Sequence, residues 1–222
     1  FLDYAVAPFV SGVYAGDPQM LSVQAAVPKV YDLERKYRSL ILGAVARGAK
    51  GRGMGGPPGR LVSFDAGMAT LPETIAERMA AAVRTGCRGV ALGRREGAWE
   101  ARWQDGSDAG AERAGHVVLA VPADAAAELL EPLSPEAAGL LRAIPYAPIV
   151  TAAVAYERRR VGHPLDGFGF LVPRTEDTGL LGGLFSSTLF DGRAPAGRAL
   201  LTAFLGGATD PGAVSLDDAA LT

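Results

Sequence analysis

The sequence predicts a mixed α/β chain, an α+β arrangement with helices at the front and a sheet at the back. Three observations carry this. Apolar residues in the first 48 positions recur about one helical turn apart. A glycine- and proline-rich segment then breaks the pattern. From Ile149 onward, short apolar runs alternate with Gly, Pro and Asp clusters, the signature of strands and turns. The 222 residues are 49% hydrophobic, enough for a sizeable core and too apolar for disorder.

Taken in order, Leu2, Val6 and Phe9 mark a first helix that ends near Gly12 and Ala15-Gly-Asp-Pro18. Ser22 caps a second, with Val23, Val27, Val30 and Leu33 on one face, and Ser39 caps a third through Leu40, Ile41 and Val45. Seven glycines fall between Gly43 and Gly59, with Pro57 and Pro58. Arg47, Lys50, Arg52 and Arg60 are the charges there, so this is a basic loop. It reads as solvated, with a phosphate or lipid headgroup contact as the alternative. Leu61–Phe64 is a short strand candidate, and Thr70-Leu-Pro-Glu73 a capping box opening a helix with Leu71, Ile75, Met79 and Val83 on one face. Strands are expected near 88–93 and 98–104, before the turn Asp105-Gly106. His116-Val-Val-Leu-Ala-Val121 reads as a strand buried on both faces. Helices follow at Pro122-Ala-Asp124 and at Ser134-Pro-Glu136, with proline at the first helical position. The strands 149–156, 167–172, 180–186 and 199–205 then form one antiparallel or mixed sheet. The chain opens in what reads as a helix interior, and Ser215 reads as the N-cap of a helix that stops after two turns. A central fragment of a longer protein is therefore expected.

With 22 basic and 24 acidic residues, no charge excess points to nucleic acid. The one cysteine, Cys87, excludes an intrachain disulfide and reads as a buried thiol. The most apolar stretch, Ile144 to Tyr156, is broken by Pro145 and Pro148 and is too short to span a membrane. His116 reads as structural and His163, in an Arg-rich turn, as exposed; neither sits in a metal-ligand pattern. No nucleophile elbow is present, and no G-x-G-x-x-G follows a strand. With no acid–base constellation in view, chemistry on this chain falls to a cofactor.

Six segments stand out in order: Pro8-Phe-Val-Ser-Gly-Val-Tyr-Ala-Gly-Asp17; Glu34-Arg-Lys-Tyr-Arg-Ser-Leu-Ile41; Ser63-Phe-Asp-Ala-Gly-Met-Ala-Thr-Leu71; Gly167-Phe-Gly-Phe-Leu-Val-Pro173; Leu181-Gly-Gly-Leu-Phe-Ser-Ser187; and Leu201-Thr-Ala-Phe-Leu-Gly-Gly207. In that order they resemble segments of protoporphyrinogen oxidases. The resemblance implies the central part of a two-domain, FAD-dependent, amine-oxidase-like fold. It assigns 1–48 to a helical subdomain lining the substrate channel and docking on the membrane, 49–60 to the loop, 61–131 to a central piece of the FAD domain, 132–208 to the substrate-binding sheet, and 209–222 to the start of a helix.

The resemblance also implies roles. Phe168 and Leu171 match the residues that face the tetrapyrrole, with Gly169 letting the ring approach; Leu184 and Phe204 match the next apolar walls, and Gly16, beside Asp17, lies near the channel. The same positions read as plain core residues on pattern alone. The strand Gly89-Val-Ala-Leu92 matches a segment whose backbone meets the adenine of FAD, so the contact falls to Gly89, where the family has valine, or to Val90. The implied reaction removes six electrons from protoporphyrinogen IX, or from coproporphyrinogen III, in three two-electron steps, with oxygen or another acceptor completing the cycle. A cytoplasmic enzyme, peripheral on the inner face of the membrane, is expected, and a homodimer is left open. The alternatives are a related FAD-dependent amine oxidase or carotenoid desaturase, against which the Gly167–Pro173 segment argues, and a non-catalytic fragment that binds a tetrapyrrole or a partner.

Overall fold

The computed structural model describes residues 2–48 and 62–221. The basic Gly/Pro loop lies outside the described residues, as does Leu61. The chain divides into two units: Phe1–Gly67 with Ala147–Thr222, and Met68–Tyr146.

The first unit opens with a π-helical turn, Leu2–Val6, and α1, Ala7–Tyr14. Ser11 is buried in α1, with its hydroxyl donating back to the Ala7 carbonyl at 2.9 Å. The predicted second helix is two, α2 (Val23–Ala26) and α3 (Pro28–Tyr37). Ser22 caps the first of them as expected, accepting from the Ala25 N–H. Pro28 has no N–H to carry the ladder on, so Val27 leaves helical geometry and the proline starts a new helix at its first position. Ser39 accepts from the Leu42 N–H and starts α4, Leu40–Gly48. Leu33 is buried where α3 meets α4 at Gly43. Residues 62–64, predicted as a strand, join neither sheet among the described residues. They are held instead by Arg193, whose Nη2 donates to Ser63 Oγ at 2.6 Å and to the Phe64 carbonyl at 3.1 Å.

In the second unit, α5 spans Thr70–Arg78. The expected capping box is absent: Thr70 is already helical, and the N-cap position is Ala69, whose methyl cannot accept a hydrogen bond. β1 (Arg88–Arg95), β2 (Ala98–Asp105) and β3 (Asp108–Ala114) form an antiparallel meander. Glu96 and Gly97, both at positive φ, make the two-residue turn between the first pair. β3 was not legible, because Asp-Ala-Gly-Ala-Glu-Arg-Ala lacks the branched and aromatic residues of strands. Its pairing partner supplies them: Trp103 lies over Gly110, leaving no room for a side chain there. His116–Val121 is not a buried strand. It joins no ladder among the described residues, and Val118 is 87% exposed. A strand covered on both faces needs a strand on each side, and the β1-β2-β3 meander does not take this segment in. α6 (Ala123–Leu130) and α7 (Pro135–Arg142) pack together through Ala126, Ala127 and Ala138, with Ser134 capping the second. The chain thus stays in this unit through Tyr146, past the boundary at residue 131 read from the sequence.

Returning to the first unit, β4 (Ile149–Glu157), β5 (Gly169–Leu171), β6 (Leu180–Leu184) and β7 (Arg198–Gly206) form one antiparallel sheet in the order β4-β7-β6-β5. The short α8, Ser186–Leu189, follows β6. Ser215 ends a tight turn rather than capping a helix; the last helix, α9, begins at Asp218. One face of the sheet carries a core of Leu165, Phe185 and Ala199, with Leu201 and Val161 against it. Leu165 enters that core at φ 56°, with its N–H bonded to His163 Nδ1 at 2.9 Å. His163 is exposed as predicted, His116 is exposed rather than in a core, and Cys87 is half-buried.

Glu100 is the one buried acid among the described residues, in the middle of β2. Its carboxylate accepts from Arg102 Nε at 3.0 Å and lies 3.6 Å from Arg95. The Arg102 hydrogen bond, aided by both positive charges, holds its pKa below the ordinary 4.5 against the opposing effect of desolvation. A carboxylate so lowered contributes stability above its unfolded pKa and loses it as pH falls through the folded value. Glu100→Gln is expected to flatten the loss of thermal stability between about pH 5 and pH 3, as read from melting temperatures of both proteins across that range.

Candidate functional site

The register of the second sheet places the predicted substrate residues. Gly169 pairs with Leu184, Leu171 with Gly182, Gly182 with Phe204, and Leu184 with Thr202. Directly opposed residues share a face, as do residues two apart along a strand. Gly169, Leu171, Leu184 and Phe204 therefore all lie on the same face, opposite the Leu165–Phe185 core. They form two rows across the sheet, Leu171–Gly182–Phe204–Thr151 and Gly169–Leu184–Thr202–Ala153. Three strands at about 4.8 Å spacing make this patch about 10 Å wide.

Among the described residues Phe168 is 55% exposed and Leu171 43%. Leu184 and Phe204 are half-buried. Phe168 stands just before β5, anchored by its carbonyl, which accepts from the Phe185 N–H at 3.1 Å. α1 packs at the β5–β6 end, with Gly12 against Leu171. Gly16 is buried beside Leu21, one residue beyond Ala15, whose carbonyl accepts from the Ala208 N–H at 2.7 Å just past β7. Asp17 accepts from the Gln19 N–H and so closes that turn.

Gly169 has a packing role as well. At φ 159°, a Cβ there would run into the carbonyl of Gly183, so β5 could not pair with β6. Gly182 and Gly183 are likewise closed in by Phe170 and Leu171. Gly182 thus keeps the candidate face clear between Leu171 and Phe204, while Gly183 makes room for Phe170 on the opposite face. By contrast, a hollow of about 410 Å³ lined by Arg174, Asp177, Thr178 and Asp210 is polar and shares none of these residues.

Sequence reasoning missed a polar feature of this face. Thr202 Oγ1 and Ser186 Oγ are 2.7 Å apart and half-buried, directly beside Leu184. The signal was available: Thr202 lies two residues from Phe204 in an alternating strand.

The two predicted cofactor contacts belong to the second unit. Gly89 and Val90 sit at an irregularity in β1, where the register with β2 slips between Gly89 and Ala91. Both are exposed, and a Cβ on Gly89 would meet nothing within 4 Å. The valine found here in the family would fit, and a planar ligand has open access to this backbone. Among the described residues no three His, Cys, Asp or Glu side chains converge as a metal site.

The sequence profile described as flavin containing amine oxidoreductase matches residues 1–222, and the chain belongs to that family. Within it, the chain is similar to protoporphyrinogen oxidases. It is 34% identical to protoporphyrinogen oxidase 1, chloroplastic, of Arabidopsis thaliana, over 97% of this chain and 43% of that protein. It is 31% identical to the Homo sapiens protoporphyrinogen oxidase, over 88% of this chain and 43% of that protein. The fold matches a solved structure from Exiguobacterium sp. 255-15, for which protoporphyrinogen oxidase is the proposed activity, with a TM-score of 0.75 at 23% identity over 99% of this chain and 45% of that one. The chain thus spans less than half the length of these relatives.

Replacing Gly169 with alanine is expected to destabilise the first unit by about 1–3 kcal/mol, the cost of forcing an atom into closed backbone. Chemical denaturation followed by circular dichroism measures it; an unchanged midpoint would show that β5 is not held by this contact.

Proposed function

We propose that this chain carries the substrate-binding sheet, and part of the flavin domain, of an enzyme that oxidises protoporphyrinogen IX, or coproporphyrinogen III, to the porphyrin in haem biosynthesis. One observation carries the reading: Leu171, Leu184 and Phe204, matched to the tetrapyrrole walls, share one face of the sheet with Gly169 and Gly182, which add no side chains to it. A macrocycle about 10 Å across needs such a platform of apolar walls with few polar points. Leu171, Leu184 and Phe204 bind the ring, fix its plane and displace water from it, and Phe168 adds an aromatic edge. Positioning is the protein's task here.

FAD is the flavin in this proposal; when bound it supplies hydride acceptance, and oxygen its reoxidation. The residues present fit part of that group. The open backbone at Gly89 and Val90 suits the adenine edge, while no strand–glycine loop–helix motif for the pyrophosphate is present in the sequence. The 222-residue chain, purified and mixed with FAD, is therefore expected to retain well under one equivalent after gel filtration. Full retention would place the pyrophosphate site within this chain.

We also propose a cytoplasmic protein in peripheral contact with the inner face of the membrane. Leu40, Ile41, Leu42 and Val45 of α4 are exposed, next to the basic Lys29, Arg35, Lys36 and Arg38 of α3 and its cap. Apolar side chains flanked by cations suit a lipid surface, and no helix among the described residues is long and apolar enough to cross one.

Titrating the chain with protoporphyrin IX, followed by the shift of its main absorbance band, tests the substrate reading. Saturable binding is expected, weakened about tenfold or more by Phe204→Ala, in line with the loss of a large apolar contact. Absence of saturation, or indifference to Phe204, would refute the platform.

A further inference from the structure

We propose that the Ser186–Thr202 hydroxyl pair is the point at which this face recognises a carboxylate of its ring ligand. The inference rests on the tetrapyrrole reading above. Thr202 lies in the same row as Gly169 and Leu184, one strand beyond Leu184, so its hydroxyl stands at the rim of the apolar patch. Ser186, at the start of α8, brings its Oγ within 2.7 Å of Thr202 Oγ1. α8 is fixed there because the next residue, Ser187, accepts the Leu200 N–H at 3.0 Å. Among the described residues each of the two hydroxyls has only the other as partner.

A pair of hydroxyls satisfies one O–H and leaves the other free. Water can take that donor while the face is open. Once a flat apolar ring covers the half-buried pair, the donor needs an acceptor from the ligand, or covering it becomes costly. The reduced ring offers few acceptors. All four pyrrole nitrogens of a porphyrinogen carry hydrogen and donate, so its acceptors are the carboxylates on its rim. A hydrogen bond from a hydroxyl to a carboxylate is charge-assisted and short.

The charged side chains of these strands do not oppose an anion at this place. On the same face the charged side chains of β4 and β7 are Glu157 and Arg198, which pair across the far end of the sheet, four residues along β7 from Thr202. Glu157 is engaged by Arg159 at 2.9 Å. No acid of these strands therefore opposes a carboxylate beside Thr202.

The test compares two probes on the same 222-residue chain: protoporphyrin IX and its dimethyl ester, which has the same ring with both carboxylates blocked. The wild-type chain is expected to bind the free acid about tenfold more tightly than the ester, the size of one charge-assisted hydrogen bond. Thr202→Val and Ser186→Ala are each expected to lower affinity for the acid to that for the ester, leaving ester binding unchanged. Thr202→Ser keeps the hydroxyl and is expected to keep the preference. Equal affinity of the wild-type chain for acid and ester would overturn the inference while leaving the platform standing. A preference that survives both Thr202→Val and Ser186→Ala would also overturn it. Parallel loss of acid and ester binding in those variants would assign the pair a structural role alone. Failure of the wild-type chain to bind either ring would overturn the tetrapyrrole reading itself, and this inference with it.

Discussion

β5 pairs with β6 only because Gly169 has no side chain. A single methyl there would meet the Gly183 carbonyl, and without that pairing Phe168 and Leu171 would have no fixed place. Gly182 and Gly183 extend the same condition across β6, where Phe170 and Leu171 lie close over the backbone. Gly169 and Gly182 thus both clear the candidate face and let β5 approach β6.

The first helix depends on the same region. Gly12 lets α1 approach Leu171, and Ala15, in left-handed geometry, ends the helix with its carbonyl turned to Ala208. Non-glycine residues adopt that geometry at some cost, so surrounding contacts must hold it. Here the hydrogen bond to Ala208 and the close seat of Gly207 against Ala15 do so.

Strand periodicity and the Gly, Pro and Asp clusters between the strands made the β4–β7 sheet legible to within two residues at each strand end. The serine caps at Ser22, Ser39 and Ser134 were equally readable, because each is a local hydrogen bond. What failed depended on distant partners. β3 exists through Trp103, Ser63 and Phe64 are held by Arg193 more than a hundred residues away, and the apolar run at His116–Val121 joins neither sheet among the described residues. Of the site, the apolar walls came from family resemblance rather than pattern, and register then set them on one face. The Ser186–Thr202 contact stayed hidden because it joins a helix start to a strand sixteen residues on.

The bond between Ala15 and Ala208 also sets an order of events during synthesis. The second unit is continuous in sequence, so it has all its residues once Tyr146 has been made. The first unit is split around it and cannot close until β7 emerges. α1 therefore waits, with the Ala15 carbonyl lacking its Ala208 partner, while nearly two hundred residues are made. Closing so long a loop costs entropy before any contact rewards it. The ribosome-bound chain is thus a better client for a holding chaperone than its finished form, and its yield in a cell should depend on that supply.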